Sequence, residues 1–294
     1  MKKILVVLMA LLVLFSVTGC KKQDAFVLGL DDSFPPMGFR NDANEIVGYD
    51  IDLAAEACKR LNLELVCQPI DWAAKEQELA TGSIDCIWNG FTITPERLEA
   101  MSFSKPYLDN AQVAIVRADS GFETLADLAG KKIGLQAGSS AAEAVDSLPE
   151  FKASVAEVVE FKDNLTALMD LEIGGVDAVI MDIVVGSYSI QTSGKDFVVL
   201  GEHLTTEEYG IGFRKEDTEL RDAFQKTLEE MAADGVHCSS PGHSPSYSRC
   251  ASFLRPQIRS HRQASAECGS RPAASGSRYR WPNFPSHSGS CRYA

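Results

Sequence analysis

Between residues 25 and 235 the chain alternates short apolar runs with segments of helical periodicity, and this alternation limits the fold more than any other feature. The apolar runs predict strands at 26–30, 63–66, 84–88, 111–116, 132–135, 158–161, 176–180, 197–200 and 209–213. The segments between them have apolar residues at helical spacing, as in Ile51, Ala54, Ala55, Cys58 and Leu61. Strands separated by helices pair in parallel through right-handed crossovers. The pattern therefore predicts an α/β protein whose two α/β units form two lobes with a cleft between them.

The first nineteen residues are typical of a bacterial secretory signal. Lys2 and Lys3 precede an apolar run at 4–15, which is too short to span a bilayer comfortably. The run ends in Val17-Thr18-Gly19-Cys20, which resembles a lipobox, although Val17 stands where leucine is commoner. The resemblance implies cleavage before Cys20 and a lipid on its sulfur, with residues 20–25 as a tether to the membrane. The alternative is an ordinary secretory signal with an incidental cysteine.

The composition changes abruptly after Gly235. Residues 1–235 hold 40 of the 41 acidic residues, whereas residues 236–294 hold 8 arginines, 14 serines and one acidic residue, Glu267. Net charge changes from −20 to +7, and no apolar period survives. A natural Ser/Arg-rich tail for nucleic acid or a wall polymer is one interpretation. Translation in a shifted reading frame explains the abruptness better, so we expect 236–294 to be an aberrant, disordered tail.

The stretch CIWNGFTITPER, residues 86–97, begins like a buried strand and ends like a helix start. Asn89, Gly90 and Thr92 lie near the strand end, where open α/β sheets bind ligands. Short hydroxyls, backbone N–H groups and the guanidinium of Arg97 suit a small carboxylate. The alternative is a helix capped by Thr94, with Arg97 in solvent. This segment alone leaves both interpretations open.

Five segments resemble the polar amino-acid binding proteins of bacterial ABC importers, family 3 of the extracellular solute-binding proteins. They are VGYDIDLA at 47–54, FTITPER at 91–97, GKKIG at 130–134, GVDA at 175–178 and YGIGFRK at 209–215. The resemblance covers about residues 25–235 and implies the two-lobed type II periplasmic-binding-protein fold, each lobe a mainly parallel sheet flanked by helices. It implies lobe I at 26–110 plus 204–235 and lobe II at 111–203. The family's last short helix, expected after Gly235, is replaced by the tail.

The resemblance also implies how the ligand's backbone is bound. Arg97 is similar to the arginine that pairs with the α-carboxylate, helped by Thr92, and Ser139 would offer an N–H at a helix start. Asp182 resembles the carboxylate that holds the α-ammonium, to which Gly90 would add a carbonyl. The resemblance therefore favours an anion site at residues 86–97.

The resemblance places four further residues at the ligand side chain. Phe34 and Trp72 would sandwich it, with simple core packing as the alternative. Asp31 lies at the floor position, where it would read a cationic or amide group or merely cap a turn. Asn89 stands where relatives have a hydroxyl, which would shift side-chain specificity.

The function implied is extracytoplasmic capture of a polar amino acid and its delivery to an ABC-type permease. Arginine, lysine, glutamine and cystine are the candidate ligands, and we expect a monomer without cofactor or metal. An enzyme on the same fold, such as a cyclohexadienyl dehydratase, is the alternative, but no histidine falls in a matched site position. The strongly acidic core argues against nucleic acid. Cys58, Cys67 and Cys86 have no metal spacing and are expected to be free thiols, with one disulfide possible.

Overall fold

The computed structural model describes residues 24–235. The predicted signal peptide, the lipidation site Cys20 and the tail at 236–294 lie outside the described residues. None of the helices in the described range is long and apolar enough to cross a membrane.

Twelve strands form one nine-stranded and one three-stranded sheet in the described part of the chain. The strands are β1 Ala25–Leu30, β2 Ser33–Phe34, β3 Gly38–Arg40, β4 Ile46–Val47, β5 Glu64–Pro69, β6 Cys86–Thr92, β7 Met101–Phe103, β8 Leu108–Arg117, β9 Lys132–Gln136, β10 Glu157–Phe161, β11 Ala178–Asp182 and β12 Phe197–Arg214. The large sheet has the order β10-β9-β11-β8-β12-β6-β1-β5, with β7 paired to β12. Pairing is parallel within β6-β1-β5 and within β10-β9-β11. These two parallel groups are the sheets of the first and second lobe.

Two long antiparallel strands, β8 and β12, join the lobes. Both predicted lobe boundaries, 110/111 and 203/204, fall inside them, and the division into lobes stays a prediction. The sequence predicted separate strands at 197–200 and 209–213, and this was wrong. β12 is one 18-residue strand whose pairing with β8 shifts on either side of His203. Such bulges interrupt the apolar alternation, because the extra residue changes which face each side chain takes.

Eight α-helices cover the sheets in the described range. They are α1 Tyr49–Leu61, α2 Lys75–Thr81, α3 Pro95–Ala100, α4 Ser140–Asp146, α5 Pro149–Ser154, α6 Asn164–Ile173, α7 Ile183–Ser193 and α8 Thr218–Ala233. Short 3₁₀ turns lie at Trp72–Ala74 and Leu125–Leu128. The sequence predicted the main helices, but α5 was missed because six residues show too little of a helical period.

Asp50 lies in the first turn of α1 but does not cap the helix. Gly48 is the residue that precedes the helix, and the Asp50 side chain is buried within its first turn. Its carboxylate accepts hydrogen bonds from the Gly90 N–H at 2.6 Å and the Tyr107 hydroxyl at 2.9 Å. Burial raises the pKa of Asp50 to about 7. The carboxylate thus accepts from the backbone at Gly90, where φ is positive, and not from an N–H of its own helix.

The sheet is buried on both faces, which explains the continuous apolar runs of its strands. On β6, Cys86 and Trp88 enter one core cluster, while Ile87 enters another. On β8, Val113 and Ala114 likewise divide between two clusters. Parallel sheets covered by helices on both faces read as apolar runs without alternation.

Candidate functional site

The carboxyl ends of the parallel strands of both lobes meet at one cleft. In the first lobe Asp31 follows β1 and Thr92 ends β6, and in the second lobe Gln136 ends β9 and Asp182 ends β11. Contacts between the lobes join these ends. The Gln136 side-chain amide donates to Asp31 Oδ2 at 2.7 Å, and the hydroxyls of Thr92 and Ser140 lie 3.1 Å apart. The cleft therefore lies where open α/β sheets place their ligands.

Arg97 is held in the cleft by the helix start that follows β6. Thr94 caps α3 by accepting the Arg97 N–H at 3.3 Å, and Pro95 begins the helix. The capped helix is therefore observed, but Arg97 is only 5% exposed and does not point into solvent. Its guanidinium stacks 4.6 Å from the Phe91 ring centroid, and Nη1 donates to the Thr92 carbonyl at 2.9 Å.

Of the remaining nitrogens of Arg97, Nη2 faces the second lobe, while Nε lies 3.9 Å from Glu76 Oε1 of the first lobe, beyond hydrogen-bond distance. Nη2 donates to Glu143 Oε1 at 2.7 Å, on a glutamate side chain that is 39% exposed. Nε is buried and has no hydrogen-bond partner among the described residues. A buried N–H without a partner costs free energy, so the guanidinium retains capacity for a planar anion.

Asp182 is fully buried at the end of β11. Its Oδ1 accepts from Asn110 Nδ2 at 2.5 Å, Gln112 Nε2 at 2.9 Å and the Tyr209 hydroxyl at 2.8 Å. Burial, and next the charge of Glu207, raise the pKa of Asp182 to about 7. An ammonium group in contact with it would reverse this shift, because an opposite charge favours the ionised form.

Glu207 brings a second carboxylate to the same place from β12. Its Oε2 lies 2.9 Å from Thr92 Oγ1, 3.0 Å from both Asn110 Nδ2 and Gln112 Nε2, and 3.3 Å from Ser140 Oγ. We call Asn110, Gln112, Asp182 and Glu207 the amide–carboxylate cluster. No motif in the sequence marked Asn110, Gln112 or Glu207 as site residues.

Ser139 occupies the predicted position before α4, but both its donors are engaged. Its N–H donates to the Gln136 carbonyl at 3.3 Å and its hydroxyl to the same oxygen at 2.7 Å. The hydroxyl that faces Thr92 across the cleft belongs to Ser140. The proposed N–H donation from Ser139 to a ligand stays a prediction, and Ser140 is the closer second-lobe donor in this structure.

Lys75 is a further cation at the cleft that sequence reasoning missed. It is 2% exposed, and its Nζ donates to the Gly138 carbonyl of the second lobe at 2.7 Å and to the Trp72 carbonyl at 3.2 Å. Burial, and then the nearby charge of Arg97, lower its pKa. Its place in α2, beginning the helical stretch KEQEL, gave no sign of burial because lysine normally marks a solvated face.

Asp31 lies at the cleft and forms hydrogen bonds with residues of both lobes. Oδ1 accepts the Ser33 N–H at 2.8 Å, as a turn cap would, and Oδ2 accepts from Gln136. Asn89 Oδ1 accepts the Asp31 N–H at 3.1 Å, so Asn89 lies behind Asp31 and fixes its backbone. Burial raises the pKa of Asp31. In this one conformation Asp31 can both cap the turn at Ser33 and contact a cationic or amide group of a ligand.

The two predicted aromatic residues lie in different packing environments. Phe34 is 5% exposed and belongs to the core cluster around Leu30 and Met37. Its ring would lie 2.8 Å from a Cβ at Gly90, where the positive φ of 57° also requires glycine. Trp72 packs edge-on against Phe91 at 5.8 Å. The sandwich of a ligand side chain between Phe34 and Trp72 stays a prediction.

A cavity of about 250 Å³ opens beside Asp31 between the two lobes. Its lining residues are Asp31, Asp32, Ser33, Pro69, Ile70, Asp71, Trp72, Lys162 and Asp163. Four aspartates against one lysine give this acidic cavity a negative potential. Within the described residues no group of three or more histidine, cysteine, aspartate or glutamate side chains could hold a metal ion.

The two-lobed architecture with its cleft defines a type II periplasmic binding protein, which confirms the predicted fold class. Residues 26–237 match the family described as bacterial extracellular solute-binding proteins, family 3. The chain belongs to this family, whose proteins act outside the cytoplasm.

Named relatives agree with this assignment. The ABC transporter arginine-binding protein 1 of Escherichia coli (strain K12) is 32% identical over 243 residues, which are 81% of this chain and 96% of that protein. The L-cystine-binding protein TcyJ of the same strain is 27% identical over 218 residues, 74% of this chain and 80% of that protein. A substrate-binding protein of an ABC uptake transporter from Streptococcus pneumoniae, solved with bound histidine, is 37% identical with a TM-score of 0.70, covering 72% of this chain and 88% of that one. All three of these relatives are binding proteins.

Proposed function

We propose that this chain captures a polar amino acid outside the cytoplasm and delivers it to an ABC-type permease. The observation that carries the proposal is the placement of Arg97 and Asp182. Both side chains are buried, they come from different lobes, and they converge on one cleft. Arg97 would bind the α-carboxylate and Asp182 the α-ammonium. A zwitterion that bridges them would favour the closed arrangement of the lobes, because a ligand shifts a conformational equilibrium only by its differential affinity.

The side chain of the ligand would extend toward Asp31 and the acidic cavity. Arginine, lysine, glutamine and cystine are the candidates from the sequence, and the relative with bound histidine adds histidine. The excess of aspartates around the cavity favours a cationic side chain, so arginine and lysine lead. Phe34, Trp72 and Asn89 would shape this end of the site, and the Gly90 carbonyl would add an acceptor for the ammonium.

A thermal-shift screen of the common amino acids, followed by calorimetry on any that bind, tests the proposal. A tight ligand raises apparent stability by mass action. We expect at least one polar amino acid to raise the melting temperature and to be recovered chemically unchanged. Binding of aliphatic amino acids alone would contradict the polar floor at Asp31.

The alternative function is an enzyme on the same fold, such as a cyclohexadienyl dehydratase. The raised pKa of Asp182 gives the site a group capable of proton transfer near neutral pH, and this is the observation that favours it. Recovery of an altered product after incubation would decide for the enzyme. We favour the binding protein because the buried Arg97 guanidinium and Asp182 carboxylate would together hold an unreacted zwitterion.

We further propose that the protein is a monomeric lipoprotein, anchored to the outer face of the cell membrane through Cys20. Anchoring rests on the lipobox-like sequence before Cys20. Cys20→Ala should move the protein from the membrane fraction to the soluble fraction, and equal partition of the two forms would contradict the anchor.

A further inference from the structure

The amide–carboxylate cluster contains two carboxylates, Asp182 and Glu207, although the proposed binding of a zwitterion by Arg97 and Asp182 uses only one of them. β11, β8 and β12 are neighbours in the sheet, and Asp182 pairs in register with Gln112 while Glu207 pairs with Asn110. The side-chain amide nitrogen of each residue, Asn110 and Gln112, donates hydrogen bonds to both carboxylates. The two carboxylates therefore share the same amide donors.

Within residues 24–235, the side chains that donate to these two carboxylates are neutral amides and hydroxyls. Among the described residues, no lysine, arginine or histidine forms an ion pair with Asp182 or Glu207. The amide oxygens of Asn110 and Gln112, at 6% and 0% exposure, are buried without hydrogen-bond partners in the described range. Two carboxylates and two free amide oxygens form a set of acceptors that lacks a cation with several N–H donors.

Thr92 connects this cluster to Arg97. Its carbonyl accepts from Arg97 Nη1 at 2.9 Å, while its hydroxyl donates to Glu207 Oε2 at 2.9 Å. The guanidinium and the Glu207 carboxylate thus meet at a single residue. An α-amino acid has its carboxylate and ammonium on one carbon atom, so its two charged groups match this short separation.

We propose that Glu207 is a ligand-binding residue that holds the α-ammonium together with Asp182. The inference rests on the proposed function and deepens it, because it adds a second recognition residue for the unblocked primary ammonium of the ligand. Three N–H donors of such a group reach both carboxylates and an amide oxygen, whereas an acylated amine has one donor and no charge.

The test compares Glu207→Gln with Glu208→Gln, an exposed neighbour on the same strand. Calorimetry is performed with L-arginine, L-lysine, L-glutamine, L-cystine and L-histidine. For those that bind, we expect Glu207→Gln to weaken affinity at least about tenfold, as for loss of one member of a buried charge pair, and Glu208→Gln to leave it within about twofold. The ligand-free Glu207→Gln protein should melt at the same or a higher temperature, because a charge that repels Asp182 has been removed.

Analogues without the α-amino group separate binding from a structural role. Guanidinovalerate replaces arginine, ε-aminocaproate replaces lysine, glutaramate replaces glutamine, dithiodipropionate replaces cystine and imidazolepropionate replaces histidine. We expect the wild type and Glu207→Gln to bind the analogue equally weakly. Equal affinity of the two proteins for the complete amino acid would overturn the role of Glu207 and leave the proposed function intact. Failure of the wild type to bind any of the five amino acids would overturn both.

Discussion

The two ends of the cleft are built differently. We call the part proposed to bind the amino acid's backbone the backbone end. There Thr92, Arg97, Asp182 and Glu207 are bonded to one another or to shared amides, and the hydroxyls of Thr92 and Ser140 lie 3.1 Å apart across the cleft. At the side-chain end, Asp31 borders an acidic cavity of about 250 Å³. The backbone end suits groups common to all amino acids, and the side-chain end has room for a variable part. This difference predicts that substitutions at the first end affect every ligand, whereas those at the second change selectivity.

The largest expected effect is loss of binding when the backbone end is broken. Arg97→Ala and Asp182→Asn should each weaken affinity by more than about tenfold, since removing one partner of a buried charge pair costs about 2–5 kcal/mol. Calorimetry with all ligands that bind the wild type measures the effect. Arg60→Ala, which changes a partly exposed arginine on α1, serves as the control. A loss restricted to one amino acid would contradict the assignment of this end to the common backbone.

The sequence predicted much of the backbone end because its residues follow recognisable strand ends. Thr92 and Arg97 lie in a segment with family resemblance, Asp182 follows another such segment at the end of a predicted strand, and the structure brings the three residues to one cleft. Asn110 and Gln112 were missed, although two amides at alternate positions of the apolar run LDNAQVAIV were a usable signal for polar groups on one buried face.

The side-chain end was less predictable for a physical reason. The acidic cavity combines residues from three strand ends, at 31–33, 69–72 and 162–163, and only tertiary structure joins them. Lys75 and Glu207 carry charges that normally mark solvent-facing positions, so their places at the cleft depend on interlobe contacts that no local pattern shows.

The next effect in size is a change of selectivity at the side-chain end. Asp31→Asn should weaken the binding of arginine or lysine about tenfold while leaving glutamine within a few-fold, because it removes a buried charge and retains the shape. Competition between labelled and unlabelled amino acids measures the ratio. Asp119→Asn on an 87% exposed side chain is the control. Equal losses of affinity for charged and amide ligands would mean that Asp31 stabilises the loop and does not distinguish ligands by the charge of their side chains.

A smaller effect is expected from pH, and it separates the site from the core. Burial raises the pKa of both Asp50 and Asp182 to about 7, above the ordinary value of 3.8. The folded state therefore binds protons more tightly than the unfolded state between pH 4 and pH 7. The contribution of each group to the free energy of unfolding falls as pH rises through this window. The melting temperature of the ligand-free protein should therefore fall over the same range.

Ligand should change only one of these two contributions. An ammonium beside Asp182 stabilises its ionised form, whereas Asp50 lies in the first-lobe core with Gly90 and Tyr107 as partners. Saturating amino acid should flatten the part of the pH dependence that Asp182→Asn removes, and leave the part that Asp50→Asn removes. Melting curves at several pH values test this. A ligand that flattens neither part would contradict an ammonium site at Asp182.

The smallest expected effect concerns Glu143, which reaches Arg97 from the second lobe. Its Oε1 lies 2.7 Å from Arg97 Nη2, where a ligand carboxylate would compete for the same donor. Because the glutamate is 39% exposed, it can move into water at little cost, and such an ion pair is worth about 0.2–1 kcal/mol. Glu143→Ala should therefore tighten amino-acid binding by about two- to fivefold. Glu150→Ala, on an exposed residue of the same lobe, is the control. Weaker binding in Glu143→Ala would instead assign the contact to closure of the lobes, since a residue that helps to hold the closed form raises affinity when it is present.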